Sequence, residues 1–213
     1  MITLEVGQST MERAAFHEAA HAVMTWELGG EVIAMEIEYE DDLREWRGVT
    51  IPRGLTDEST VQMLYAGGLG EALYVANVYD PAEWILDAGP SKASILRPVP
   101  HPDYDLTFTG SNNAGTRTLR FQEDILFSND IRIVEQKVQQ GLVAQNRLDA
   151  LLTNAIDLLN SKQGWDALVE TANQFLRRPP RLMTWRFGPD GEENKQQYRI
   201  DTLATKAKAI LKG

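Results

Sequence analysis

The chain has 213 residues, 24% of them charged and 43% hydrophobic, with a formal net charge of −10 at pH 7. This length can bury a sizeable hydrophobic core, and the acidic balance argues against nucleic acids and anionic membranes as partners. The absence of cysteine excludes disulfides and thiolate metal sites and favours a reducing, cytoplasmic compartment. There is neither a secretory signal pattern nor an apolar run of about 20 residues, so we expect no membrane span.

The first predicted element is a helix over residues 9–28. Ser9 and Glu12 form a capping box at its start, and Gly29-Gly30 is a typical stop signal. The helix contains the pattern His17-Glu18-Ala19-Ala20-His21, an H-E-x-x-H motif. Side chains four residues apart lie on one helix face, about 6 Å apart along the axis, so the two imidazoles can converge on one zinc ion.

Glu18 begins on the neighbouring flank of this helix, where its carboxylate can reach a metal-bound water rather than the metal. The pattern therefore predicts His17 and His21 as metal ligands and Glu18 as the catalytic base. The alternative is a pair of hydrogen-bonded core histidines with Glu18 in solvent.

A β-hairpin is predicted next. Residues 31–39 are rich in branched and apolar side chains, residues 40–44 are polar enough for a turn, and residues 46–51 form a second strand closed by Pro52. Val49, Thr50 and Ile51 are candidates for binding a substrate backbone by strand addition. An ordinary core strand is the alternative.

A second helix is predicted over residues 56–78. Three glycines in its middle, Gly67, Gly68 and Gly70, lower helix propensity by up to about 1 kcal/mol each. A helix accepts them when another group must approach its backbone closely. Glu71 follows in an apolar surrounding and needs a partner such as a histidine ring N–H, a metal or a backbone donor. A solvent-facing glutamate is the alternative.

Residues 80–119 are rich in proline and glycine and form an unusually long connection. We expect a helical turn at 82–86, a short strand at 106–109 and irregular structure elsewhere, with His101 exposed. The segment is either a lid over the cleft or an insertion without a role in the site.

The rest of the chain is predicted to be mainly helical. A helix opens at Ser128-Asn129-Asp130, and residues 142–176 hold helices separated by Gln163-Gly164. Residues 182–187 and 196–200 suggest a hairpin, and Asp201 caps a last helix to Leu211. We therefore predict a domain over 1–181 and an appendage over 182–213.

These motifs together resemble the peptidase domain of the FtsH-type ATP-dependent zinc proteases. That family has an H-E-A-G-H-A helix, a strand pair, a helix with a G-G-x-x-A-E pattern, and a later Asn-Asp or Ser-Asp that supplies a third ligand. The matching segments are 17–22, 31–51, 67–71 and 128–131, followed by paired helices at 153–162 and 165–176.

The chain departs from the family in several places. Ala20 replaces a glycine and Gly70 an alanine, and neither a Walker-type loop nor a membrane anchor is present. The resemblance thus implies a mainly α (α+β), zincin-like fold and peptide-bond hydrolysis without ATP-driven unfolding.

The resemblance implies Asp130 as the third zinc ligand, with Glu71 orienting a histidine. Glu71 is the rival third ligand, and Asp124 and Asp105 are weaker candidates. The expected substrate is a peptide or an unfolded protein. The chain is expected to assemble with copies of itself or to work with a separate ATPase. The alternatives to a zinc metallopeptidase are a non-catalytic binding or assembly module and a zinc hydrolase acting on a non-peptide amide.

Overall fold

The computed structural model describes residues 3–5, 11–40, 45–79, 83–87, 105–109, 116–120, 128–177 and 192–213. Most of them are helical, so the predicted mainly α (α+β) fold class is confirmed. In chain order the elements are β1 (Thr3–Glu5), α1 (Met11–Glu27), β2 (Glu31–Glu40), β3 (Glu45–Arg53), α2 (Asp57–Tyr79), β4 (Glu83–Asp87), β5 (Asp105–Thr109), β6 (Thr116–Arg120), α3 (Ser128–Gln139), a 3-10 turn (Gln145–Arg147), α4 (Leu148–Asn160), α5 (Lys162–Leu176) and α6 (Glu192–Lys212).

Helix α1 is the centre of the fold, because its faces contribute to two hydrophobic clusters. One cluster joins α1 to α2, α3, α4 and α5, and the other joins it to β2, α5 and α6. Five alanines of α1 are buried, which lets its neighbours approach closely. The helix ends as predicted: Gly29 has a φ of 80°, and the Gly30 N–H donates to the Thr25 carbonyl at 2.9 Å. Ser9 lies outside the described residues.

The predicted hairpin is confirmed as the antiparallel pair β2–β3, which packs on α1. The pairing slips at Ile33, which is an extra residue between Val32 and Ala34. This bulge places both Val32 and Met35 in the core although they are three residues apart. Strand β3 continues to Arg53, so Pro52 lies within the strand instead of closing it. In the part of the chain that the structure describes, β3 pairs only with β2, and its other edge is open.

A second sheet has the strand order β1-β5-β6-β4, with β4 and β6 parallel and the other pairs antiparallel. The short strand predicted at 106–109 is confirmed as β5. The helical turn predicted at 82–86 is wrong, because Glu83–Asp87 is a strand. The irregular structure expected around residue 116 is also wrong, because Thr116–Arg120 forms β6. Both strands depend on pairing with residues far along the chain, which a local pattern does not reveal. The remainder of 80–119, including His101, lies outside the described residues.

The helices after residue 128 agree with the prediction except at three places. Residues 142–144, which were expected to be helical, are not, because α3 ends at Gln139 and α4 begins only at Leu148, after the 3-10 turn Gln145–Arg147. Ser161, and not Gln163-Gly164, separates α4 from α5, because its hydroxyl accepts the Gly164 N–H at 2.9 Å and caps α5. The predicted strand at 196–200 is wrong: α6 runs unbroken through it, and Asp201 is an interior residue of that helix. Residues 182–187 lie outside the described part.

The helical state of α6 follows from its packing. Ile200 and Ala207, two turns apart, are buried in the cluster that α6 shares with α1 and α5, so helical spacing decides the structure. The proposed boundary at residue 181 falls outside the described residues and stays a prediction. Among the helices that the structure describes, none is long and apolar enough to cross a membrane.

Candidate metal centre

The H-E-x-x-H motif lies on α1 as its spacing predicts. The Nε2 atoms of His17 and His21 are 3.0 Å apart, and the two rings meet edge to face at 82°. His21 is buried, whereas 17% of the His17 side chain is exposed. The two imidazoles therefore present their Nε2 atoms to one common point.

Asp130 reaches the same point from the first turn of α3. Its Oδ2 lies 3.1 Å from His17 Nε2 and 3.3 Å from His21 Nε2. Zinc bonds of about 2.0–2.1 Å at tetrahedral angles put ligand atoms roughly 3.3 Å apart. The triangle of two nitrogens and one oxygen thus fits zinc in ligand type and spacing. Among the described residues, these three side chains form the one group suited to hold a metal.

The second nitrogen of each imidazole fixes its tautomer. His21 Nδ1 lies 2.8 Å from the Met63 carbonyl oxygen, and His17 Nδ1 lies 3.3 Å from Glu71 Oε2. Both oxygens accept, so each Nδ1 must carry the hydrogen and donate. In the neutral imidazoles the Nε2 lone pairs are then left for a metal.

Electrostatics in the cluster favour a cation. Burial opposes charge on His17, but the carboxylates of Asp130 and Glu71 hold the pKa of its imidazole well above the usual value. The pKa of Asp130 is far below its usual range despite burial, because His21 and His17 stabilise its charge. The pKa of Glu71 is also lowered against burial, by His17 and Arg13. Asp130 and Glu71 therefore stay ionised.

Glu18 lies in a different environment from the other two carboxylates. It is 4% exposed, and its Oε2 is buried without a hydrogen-bond partner. Burial raises its pKa, although the nearby imidazoles of His21 and His17 oppose the shift. An unpartnered buried carboxylate oxygen is costly. Such an atom beside the side chains of His17, His21 and Asp130 is suited to accept a proton from a water molecule.

Strand β3 covers Glu18, and a glycine makes this possible. A Cβ added at Gly48 would lie 2.4 Å from Glu18 Cγ and 2.7 Å from its Oε1. The Thr50 hydroxyl donates to the backbone carbonyl of Glu18 at 3.1 Å. The backbone of β3 is thereby fixed against the carboxylate. Val49 and Ile51, which flank Thr50, are exposed.

Gly67 of α2 has the equivalent function for the histidines. A Cβ at this position would lie 2.3 Å from His21 Cε1 and 2.7 Å from His17 Nε2. Any other side chain would therefore occupy the space of the imidazoles. The close approach expected of the glycine-rich segment is observed here, and the approaching groups are the two histidines.

The structure brings most of the predicted site residues together. His17, Glu18, His21 and Asp130 converge, while Glu71 contacts the outer nitrogen of His17 instead of entering the cluster. Asp124 lies outside the described residues, and Asp105 is described only as the first residue of β5.

Two contributions were missed by sequence reasoning. Arg13 pairs with Glu71, and its position one turn before His17 on the same helix face was an available signal. The Met63 carbonyl carried no signal, because every residue has a carbonyl.

Comparisons with known proteins add no relative. No protein-family model matches the chain, and neither the curated proteins nor the solved structures that were searched contain a match.

Proposed function

We propose that this chain is a zinc-dependent metallopeptidase that holds its ion with His17, His21 and Asp130. The observation that carries the proposal is the convergence of two Nε2 atoms and one carboxylate oxygen, all within 3.3 Å of one another, beside the buried Glu18. Three protein ligands that leave a position open are typical of catalytic zinc. The choice of a peptide bond as substrate rests on the resemblance to FtsH-type peptidase domains.

The residues of the chain have separate tasks in this reaction. His17, His21 and Asp130 would hold the zinc, which when bound would supply a Lewis acid able to lower the pKa of a water and to polarise a carbonyl. Glu18 accepts the proton of the attacking water and passes it to the leaving amine. Its raised pKa brings it closer to neutral pH, where a group can both take up and release a proton.

The open edge of β3 is our candidate for the substrate-binding strand. Its backbone lies against Glu18 at Gly48 and Thr50, so a peptide paired with Val49, Thr50 and Ile51 would lie beside the base. Strand addition uses main-chain hydrogen bonds, and this fits an enzyme that acts on extended peptides or unfolded segments.

The remaining expectations are part of the same proposal. The enzyme hydrolyses peptides without ATP and receives unfolded protein directly or from a separate ATPase, in a reducing, cytoplasmic compartment. Assembly into a homo-oligomer stays a prediction.

Zinc content and peptidase activity test the proposal together. The zinc bound per chain is measured by elemental analysis in the wild type and in His21→Ala, Asp130→Ala and Glu71→Ala, after removal of loosely bound metal. We expect one zinc per chain in the wild type, its loss with His21→Ala and Asp130→Ala, and its retention at reduced affinity with Glu71→Ala. Glu58→Ala is the matched control for Glu71→Ala, because Glu58 is also on α2 but pairs with Arg147 at the surface.

Activity is then measured on fluorescently labelled casein as an unfolded substrate, with Glu18→Gln as the inactive control. Zinc binding with no cleavage that depends on Glu18 would contradict the enzyme and favour the non-catalytic binding or assembly module. No zinc in the reconstituted wild type would contradict the metal site itself.

A further inference from the structure

Arg13 lies one helical turn before His17 on α1 and contacts Glu71 on α2. Its Nε donates to Glu71 Oε1 at 2.8 Å, and its terminal nitrogen Nη2 donates to the same oxygen. The other carboxylate oxygen, Oε2, accepts from His17 Nδ1 at 3.3 Å. Arg13, Glu71 and His17 thus form a hydrogen-bonded chain. It ends at His17 Nδ1, the ring nitrogen that faces away from His21 and Asp130.

The two oxygens of Glu71 have different partners, and this restricts the carboxylate. Rotation that improved one contact would break the other. The side chains of Arg13 and Glu71 are each 15% exposed, so their charges are weakly screened by water. Charge-assisted hydrogen bonds of this kind are short and directional. The pair therefore fixes a side chain that would otherwise be mobile.

A comparison of the two histidines shows why Glu71 needs this restraint. His21 Nδ1 donates to the Met63 carbonyl, which is held in place by the backbone of α2. His17 Nδ1 donates to a glutamate, which has rotatable bonds and a negative charge. Only the second arrangement depends on a further side chain to hold the acceptor in position.

Charge gives a second reason. Three carboxylates, those of Glu18, Glu71 and Asp130, surround the two imidazoles, and carboxylates are themselves zinc ligands. Arg13 neutralises the one that is hydrogen-bonded to the outer nitrogen of His17. Asp130 is then the carboxylate that faces the Nε2 atoms.

We propose that Arg13 is a positioning residue, which acts through Glu71 to hold the His17 ring with its Nε2 toward the metal. This inference rests on the zinc site of the proposed function. Outer hydrogen-bond partners of zinc ligands contribute about 10- to 100-fold to metal affinity, and we assign that contribution jointly to Arg13 and Glu71.

A double-mutant cycle on zinc affinity tests the inference. Zinc dissociation constants are measured by competition with a chelating dye for the wild type, Arg13→Met, Glu71→Gln and the double variant. We expect each single variant to weaken zinc binding about 10- to 100-fold, and the double variant to be no weaker than Glu71→Gln alone. Arg147→Met is the matched control, because Arg147 forms a similar pair with Glu58 at the surface, and it should leave the affinity unchanged.

A second measurement does not depend on zinc. The chain has three histidines, so the downfield N–H resonances of the imidazoles can be assigned by NMR in the metal-free protein. We expect a protected Nδ1–H signal for His17 that is lost in Arg13→Met and retained in Arg147→Met. Arg13→Lys keeps the charge and one donor and should recover part of the signal and of the affinity. It also serves as the folded variant if Arg13→Met does not fold.

The outcomes separate this inference from the proposed function. A purely structural ion pair would lower the melting temperature of Arg13→Met and leave the zinc affinity and the His17 signal unchanged, which would overturn the inference while the zinc enzyme stands. Additive losses in the double variant would also overturn it. The expected cycle in a protein without peptidase activity would support the positioning role and contradict only the enzyme. A wild type that binds no zinc would overturn both.

Discussion

The helix pair α1–α2 and the helix pair α4–α5 are held together by different kinds of contact. At the centre of the first pair, Gly67 leaves room for two imidazoles, and hydrogen bonds from His17 and His21 cross the interface. The second pair is joined by buried apolar side chains and by the cap at Ser161. The two pairs share one hydrophobic cluster, yet only the first contains buried ionisable side chains, including those of Glu18 and His21.

This difference separates the helix pair that holds the candidate metal site from a pair that contributes mainly apolar burial. Glycines inside α2 and an unpartnered oxygen on Glu18 both reduce the free energy of unfolding. Apolar burial in α4 and α5 offsets these costs at a distance from His17, His21 and Asp130. Substitutions in the two pairs should therefore affect different measurements.

Gly67→Ala should have the largest effect on the site. The added methyl group would lie within 2.7 Å of both imidazoles, which their hydrogen bonds prevent from moving aside. We expect zinc affinity to fall roughly 100- to 1,000-fold, about 3–4 kcal/mol. Competition titration measures this loss. In the control Gly70→Ala the methyl group meets Ala20 instead, which should lower the melting temperature and preserve zinc binding. Wild-type affinity in Gly67→Ala would refute the close approach.

Leu159→Ala tests the opposite side of the comparison. Leu159 is fully buried in the shared cluster, and truncation leaves a cavity. We expect the free energy of unfolding to fall by about 2–4 kcal/mol in urea titrations. The zinc affinity of the protein that remains folded should not change. A parallel loss of affinity would mean that the two helix pairs are not separable.

A change of pH should alter the zinc affinity of the site and leave the helical structure around it unchanged. Because the pKa of His17 is raised in the metal-free protein, zinc must displace a proton at any pH below that pKa. Affinity should therefore fall as the pH falls, by about tenfold or 1.4 kcal/mol per pH unit. Chelator competition between about pH 6 and 8 measures the slope, and circular dichroism should show unchanged helix content. An affinity that does not change with pH would contradict the displacement of a proton from His17 by zinc.

Glu18→Gln should have the smallest effect of these substitutions. Unlike the others, it should stabilise the metal-free protein. The folded-state pKa of Glu18 is raised, so its ionised form reduces stability at pH values above that pKa. Removal of the charge should stabilise the metal-free protein by on the order of 1 kcal/mol. The melting temperature should rise without zinc, and the gain should shrink with zinc, which favours the carboxylate. A lower melting temperature in the metal-free variant would contradict a net cost of burying the ionised Glu18 carboxylate.

Local sequence signals were sufficient to predict where several helices begin and end. Thr56 accepts the Ser59 N–H as a helix cap, and the stop at Gly29 closes α1 as the sequence indicated. Long-range pairing was not visible: β4 depends on β6, more than thirty positions later. The strand predicted at 196–200 failed because the packing of Ile200 against α1 and α5 favours a helix.

The candidate site likewise has features that local sequence predicts and features that depend on distant residues. The spacing of His17, Glu18 and His21 follows from one helix and needs no tertiary information. The position of Asp130 came from resemblance, since no local pattern links it to residues on α1. The approach to Gly67 could be expected from its cost in a helix, whereas the orientation of His21 by a backbone carbonyl could not.

The distance in sequence between His17 and Asp130 has a further consequence. These residues are 113 positions apart, and the chain has no cysteine. An ion bound to both would close this long loop in the folded protein and would be released when the chain unfolds. A ligand that binds only the folded state stabilises it by about 2.7 kcal/mol when its free concentration is about 100 times the dissociation constant. The same atoms that serve chemistry would thus tie the first helix to the middle of the chain, and the melting temperature would follow the concentration of free zinc.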